Sequence, residues 1–238
     1  MLYAEPQLLE TLGWLAALRD RLDVEILMVV DVPDPARKAE AHAANDAVAS
    51  RVQAEVRYRV GQRGFGSAMR QGFTEATGDV VIPIMGDASE DPDDVLRLAA
   101  ELERGWDVVA GSRYMRGGRI VGNTAKQRIS RLYSVLVRLA GGPPIHDISN
   151  AFKAYRRTVV ESIGTVADSF DISVELTLKA YQAGFRIGEI PSTWTNRKEG
   201  RSHFVLAREL RNYGRWLVLA ARGRQARRAP VKAALPPS

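Results

Sequence analysis

The stretch Val80-Val81-Ile82-Pro83-Ile84-Met85-Gly86-Asp87-Ala88-Ser89-Glu90-Asp91-Pro92 passes without a break from an apolar run into an acidic turn. A continuous apolar run of this length reads as a strand buried on both faces, since half-exposed strands alternate instead. Asp91-Pro92 then opens a helix, with aspartate as N-cap and proline in the first helical position, where its missing N–H costs nothing. Strand, acidic turn and helix in that order form half of a βαβ unit.

The alternation recurs on both sides. Strands are expected at Val24–Val30, Val56–Val60, Val80–Met85 and Val108–Gly111, and helices at Pro6–Leu22, Pro35–Val52, Gly66–Ala76 and Pro92–Arg104. Beyond Gly118 the pattern predicts a helix over Thr124–Ala140, a strand near Ala151–Tyr155, a helix over Ser173–Ala183 and a strand over Arg186–Ile190. This is an α/β fold around a mostly parallel sheet with flanking helices. Only Met1–Tyr3 precede Glu5-Pro6, so the first strand is expected to be truncated. The chain of 238 residues suits one large domain over residues 1–203, an amphipathic helix over 204–222 and a basic disordered tail over 223–238.

Composition narrows the function. Cysteine is absent, which removes disulfides, zinc-thiolate sites and a thiol nucleophile and suits a reducing compartment. The net charge of +6 suggests nucleic acid, but five basic residues and no acid fall in 222–238, leaving the body nearly neutral. No basic stripe or aromatic platform marks the folded part, so a nucleic-acid partner is not expected. No apolar run approaches the roughly 18 residues of a membrane span, and the N-terminus lacks the order of a signal peptide. The expected location is cytoplasmic, with peripheral attachment to a membrane left open.

In open parallel sheets, ligands bind beyond the carboxyl ends of the strands. Those ends carry Asp31, the turn Gly61–Gly66, Gly86-Asp87 and Gly111-Ser112-Arg113-Tyr114. A Gly-x-Gly turn such as Gly64–Gly66 can bring backbone close to a ligand, although glycine turns are common for structural reasons alone. Within the acidic stretch, Asp91 is explained by capping, and Asp93 and Asp94 by the helix dipole. Glu90 reads as a solvated loop charge. Asp87 alone has no capping role, and a hard divalent ion bridging two phosphates needs few protein carboxylates.

These segments resemble family 2 glycosyltransferases of the GT-A fold, and among them the dolichyl-phosphate-mannose synthase-like enzymes. Tyr3-Ala4-Glu5 resembles the family's Tyr-Asn-Glu, and Gln62–Ala68 with Gly72 and Gly78-Asp79 its glycine-rich passage. Gly111–Tyr114 with Gly117-Gly118 resembles its Gly-Ser-Arg-Tyr...Gly-Gly motif, Ile129-Ser130-Arg131 its Ile-Ser-Arg, and Asp147–Arg156 its Asp-x-x-Ser-x-Phe-x-Ala-x-Arg. Pro191, Arg197, Gly200 and Ser202 resemble its closing pattern. The order and spacing of these pieces are far more specific than any one of them. One departure stands out: the family's Asp-x-Asp is here Met85-Gly86-Asp87, as in members with Met-Ala-Asp-x-Ser.

The resemblance implies a metal-dependent, inverting transfer of a hexose from a nucleoside-diphosphate sugar to a polyprenyl phosphate. Tyr3, Glu5, Asp31, Gln62, Gly64, Gly66, Gly86 and Asp87 would bind the donor. Asp87 and Ser89 would hold Mg2+ or Mn2+, and Arg197 would assist the leaving diphosphate. Arg113, Lys126, Ser130 and Arg131 would take the acceptor phosphate, since guanidinium forks suit phosphate oxygens. Asp147 would orient or activate the acceptor, with a turn or cap role as the structural alternative. Glu175 matches a family position, yet as a helix residue it can equally face solvent or an arginine. Leu206, Leu210, Tyr213, Leu217 and Ala220 form an apolar stripe beside arginines, able to lie on a membrane surface, on the body or on a second subunit. Two other functions stay open: transfer to a sugar or glycolipid hydroxyl, and nucleotide-sugar binding without turnover.

Overall fold

A computed structural model describes residues 7–61, 63–122, 125–196 and 206–228. The N-terminal half alternates strand and helix as its apolar periodicity requires. Helix α1 (Leu8–Ala17) leads through a 3-10 turn to β1 (Leu27–Val32), α2 (Lys38–Arg51) and β2 (Glu55–Val60), which pairs in parallel with β1. Helix α3 (Phe65–Glu75) returns the chain to β3 (Val80–Val81), and α4 (Pro92–Glu103) to β4 (Val108–Ser112). Then follow β5 (Arg119–Val121), α5 (Ala125–Ala140), β6 (Lys153–Arg156), α6 (Arg157–Ser162), α7 (Ile172–Gln182), β7 (Ile187–Pro191), β8 (Thr193–Thr195) and α8 (Leu206–Arg228).

Among the described residues the strands form a β1-β2 pair, a sheet ordered β3-β6-β4-β7 and a β5-β8 pair. Strands β4 and β7 run in parallel, as do β5 and β8, while β6 is antiparallel to both of its neighbours. The parallel pairings come from chain that crosses over through helices. The reversed β6 enters instead from the loop after α5.

Several expectations shift. The strand expected over Val80–Met85 keeps ladder bonds only at Val80 and Val81. Pro83 has no N–H to donate, and continuous pairing stops before it. Strand β1 extends through Asp31 to Val32, so Asp31 lies within the strand and not after it. The short pair β5-β8 and helix α6 were not expected at all; strands of three residues carry too little pattern to read. Helix α8 continues to Arg228, past the expected end at 222, so the start of the expected disordered tail is helical. Residues 229–238, and Met1–Tyr3 of the expected first strand, lie outside the described residues.

The core explains the fate of the α8 stripe. Trp216 and Ala220 are buried against α5 and α7, with Tyr213 and Leu217 packed beside them. Asp171, fully buried at the start of α7, accepts from Trp216 Nε1 (2.7 Å) and Arg215 Nη2 (2.6 Å) and so fastens α8 to the body. From Tyr213 onward, then, the apolar face of α8 is covered by protein. A run of open apolar residues lies instead on α5, where Ile129, Leu132, Leu136 and Leu139 are 36%, 59%, 42% and 64% exposed.

Candidate active site

The acidic turn is built from outside as much as from its own sequence. Asp91 caps α4 as expected, its Oδ1 accepting from Asp93 N at 3.1 Å. Ala88 sits in the left-handed region (φ +50°), which a non-glycine residue adopts only when its surroundings impose it. The imposing contacts are visible. Ala88 N–H donates to Thr11 Oγ1 of α1 at 3.0 Å, Thr195 N–H to the Ser89 carbonyl at 2.8 Å, and Glu90 forms a β-bridge with Trp194. Asp94, expected as a first-turn dipole partner, is buried and accepts from Thr193 N–H at 3.1 Å while pairing with Arg97 at 2.5 Å. Strand β8, a hundred residues on in sequence, thus holds the turn in place.

This brings Asp87, Ser89 and Glu90 together below the surface, at 4%, 2% and 7% exposure. Ser89 donates its hydroxyl (2.5 Å) and its N–H (3.3 Å) to Asp87 Oδ1. Glu90 corrects the sequence reading: it is not solvated. Burial pushes its carboxyl up to about 8, the Asp87 charge adds to the rise, and backbone N–H groups of Glu90 and Met85 and the charge of Arg113 oppose it. Its Oε2 has no hydrogen-bond partner among the described residues. An all-oxygen donor set with an orphaned buried carboxylate oxygen fits a hard divalent ion such as Mg2+ or Mn2+.

Beside it stands a buried cation. Arg113, at the end of β4, donates to Asp147 from Nε (2.7 Å), Nη2 (3.0 Å) and its own backbone N–H (3.2 Å). Asp147, with no exposed surface, also accepts from Ser149 Oγ (3.1 Å) and Asn150 N–H (3.2 Å). Burial works against both charges, but each partner outweighs it: Arg113 is held above the arginine range and Asp147 below the usual carboxylate range. Ser130 lies in the same cluster, taking Tyr114 OH at 2.9 Å and meeting Ser149 Oγ at 2.6 Å. Lys126 and Arg131 stand exposed on the first turns of α5. Lys153, which the sequence did not single out, is wholly buried behind the pair and donates to the carbonyl of Ile148 (2.8 Å) and that of Asn150. Burial pushes its amine down to about 7, with Asp147 acting against that and Arg113 with it.

The glycine turn has a structural explanation. Gly64 N–H donates to Asp31 Oδ2 at 2.9 Å, and Arg59 Nε lies 3.2 Å from Asp31 Oδ1. A Cβ on Gly66 would stand 2.2 Å from the Ala167 carbonyl oxygen. These glycines admit the neighbouring 167–168 backbone, and Asp31 braces the turn. Glu175 faces neither solvent nor an arginine: it is fully buried, accepts N–H bonds from Val166 and Ala167, and pairs with Lys179 at 2.6 Å. It therefore secures the same loop. Tyr3, Glu5, Gln62 and Arg197 lie outside the described residues.

The family model for glycosyl transferase family 2 matches residues 2–164. The chain belongs to that family. Among family members, polyprenol monophosphomannose synthase of Mycolicibacterium smegmatis is 34% identical over 66% of this chain and 62% of its own length. Dolichol-phosphate mannosyltransferase of Pyrococcus furiosus is 28% identical over 74% of this chain and 49% of its own. Undecaprenyl-phosphate mannosyltransferase of Micrococcus luteus is 31% identical over 87% and 88%. The chain thus spans less than two thirds of the first two relatives. Glucosyl-3-phosphoglycerate synthase of Mycobacterium tuberculosis, in complex with uridine diphosphate, superposes with a TM-score of 0.66 at 16% identity, over 95% of this chain and 78% of that one. That likeness establishes the GT-A-like fold of this family 2 chain.

Proposed function

We propose that this chain transfers a hexose, with inversion, from a nucleoside-diphosphate sugar to a polyprenyl phosphate, with Mg2+ or Mn2+ as cofactor. The observation that carries the reading is that the fold holds two oppositely charged groups, the buried Asp87-Ser89-Glu90 turn and the Arg113 guanidinium held by Asp147. One anionic site suits a cation and the diphosphate it holds; the cationic site suits an acceptor phosphate. The names of three relatives, each a polyprenyl- or dolichyl-phosphate mannosyltransferase or synthase, support the acceptor class.

Asp87 and Ser89 would hold the ion, which when bound supplies charge neutralisation on the departing diphosphate. Gly86, and Asp31, Gly64 and Gly66 through the turn that Asp31 braces, would line the donor side. Tyr3, Glu5, Gln62 and Arg197 keep the donor roles that the sequence implies. On the acceptor side Arg113, Ser130 and the exposed Lys126 and Arg131 would receive the phosphate. Asp147 accepts five hydrogen bonds and has no exposed surface, so it acts as a positioning residue for Arg113. This favours a phosphate acceptor over a sugar hydroxyl. A phosphate monoester is ionised at neutral pH and needs no base, whereas a hydroxyl needs one and Asp147 is occupied.

A panel of nucleotide sugars with undecaprenyl phosphate and Mn2+ tests the reading. The expected result is a lipid-extractable labelled product with one donor, lost on chelation of the metal. Labelling of sugar or glycolipid hydroxyls alone would establish the second reading. Nucleotide binding without transfer or hydrolysis under any donor would leave a binding protein.

A lipid acceptor brings the site to a membrane surface, and α5 carries both acceptor-side residues and the open apolar face. No helix among the described residues is long and apolar enough to cross a membrane. Ile129, Leu132, Leu136 and Leu139 recur at helical spacing beside Lys126, Arg128 and Arg131, the pattern of a helix lying in an anionic interface. Each leucine contributes at most about 1.5–3 kcal/mol on burial. The pair Leu132→Ser with Leu136→Ser is therefore expected to weaken binding to anionic vesicles by about ten- to a hundredfold in sedimentation. Loss of a dimer in place of vesicle binding would assign the face to a second copy of the chain.

A further inference from the structure

On the metal-dependent reading above, we infer that Glu90 supplies the second carboxylate of the cation site, replacing the oxygen ligand that Met85 does not offer. A thioether is a soft donor and gives a hard divalent ion almost nothing, so Met85 contributes no side-chain ligand. Glu90 is instead buried in the same turn as Asp87 and Ser89.

The burial of Glu90 is built, not incidental. Left to itself, the Asp87–Asp91 turn would present a glutamate to water. Thr11 Oγ1 on Ala88, the carbonyl of Ser89 on Thr195 and the bridge to Trp194 instead fix the turn so that Glu90 points inward. The result is a carboxylate 7% exposed whose Oε2 has no hydrogen-bond donor among the described residues. Buried polar atoms of a folded protein are satisfied with few exceptions, and a bound cation would account for this exception in a turn that also buries Asp87. Asp87 and Ser89 lie at the start of the turn, joined by two hydrogen bonds, and Glu90 lies at its end. Two carboxylates and a hydroxyl suffice when diphosphate oxygens and water complete the shell.

Mn2+ binding, read as loss of the free-ion electron paramagnetic resonance signal in the presence of UDP and, separately, GDP, tests this without reference to turnover. Asp87→Asn and Glu90→Gln are each expected to weaken Mn2+ binding by about tenfold or more, with Asp93→Asn unchanged. Met85→Asp added to Glu90→Gln is expected to restore affinity, because it returns a carboxylate to the segment that enters the turn. If Glu90→Gln binds Mn2+ as the wild type does while Asp87→Asn does not, the inference fails and the metal-dependent reading stands. A wild-type chain that binds no Mn2+ with either nucleotide overturns both. A double variant that stays weak overturns the replacement of Met85 by Glu90. Should Glu90→Gln fail to melt cooperatively, Glu90→Asp, one methylene shorter, is judged by the same tenfold criterion.

Discussion

Asp87→Asn is expected to lower metal-dependent sugar transfer by about 10²–10³-fold, the usual loss when a preorganised group that stabilises developing charge is removed. The expectation rests on position. Asp87 follows a partly buried segment but is itself 4% exposed, with Ser89 donating to its Oδ1 twice. Asparagine keeps the shape and an oxygen acceptor for those two donors, so the melting temperature should hardly move. What disappears is the negative charge that, on the proposed function, would face the cation and the leaving diphosphate. Asp93→Asn is the matched control, since Asp93 is exposed in the first turn of α4 and only complements the helix dipole. Initial rates at saturating Mn2+, with thermal melts of both variants, decide the matter. Full activity in Asp87→Asn would remove the site assignment.

Asp147→Asn should act the other way, on the fold first. Its partner Arg113 is 12% exposed at the side chain and would be left a buried cation without its carboxylate. Breaking a buried pair from one side costs about 3–5 kcal/mol. For a chain of this size that corresponds to a drop of roughly 6–20 °C in melting temperature. The same pair imposes a pH dependence. Asp147 is held below the ordinary carboxylate range, so its contribution is fully present above that range and is lost as pH falls through its lowered value. Asp147→Asn should therefore flatten the acid limb of the stability curve. A variant that melts like the wild type but transfers nothing would make Asp147 an acceptor-contacting group and not a brace.

Much of the fold was legible because it depends on local pattern. Apolar runs of strand length, helical periodicity, and the Asp91-Pro92 cap placed α3, α4, β2 and β4 to within a residue or two. The strand over Val80–Met85 was read too long, since pairing depends on neighbours and on Pro83, while apolarity does not. The candidate site was legible where family motifs carried it and obscure where long-range packing set the outcome. Glu90 looked solvated, and Glu175 looked free to face water. Both are buried by segments that their own neighbourhood does not reveal: Trp194 for the first, Val166 and Ala167 for the second. Even the glycines at 64 and 66, readable as a ligand cradle, turned out to face the 167–168 backbone.

The sequence by itself determined the α/β alternation, the family, and Asp87 as the acid without a capping role, because each depends on residue types at short spacing. Only the tertiary structure decided which charges are buried and with whom they pair. That outcome is set by desolvation and by partners up to a hundred residues away, so β8, and not the turn's own sequence, makes Glu90 a companion of Asp87.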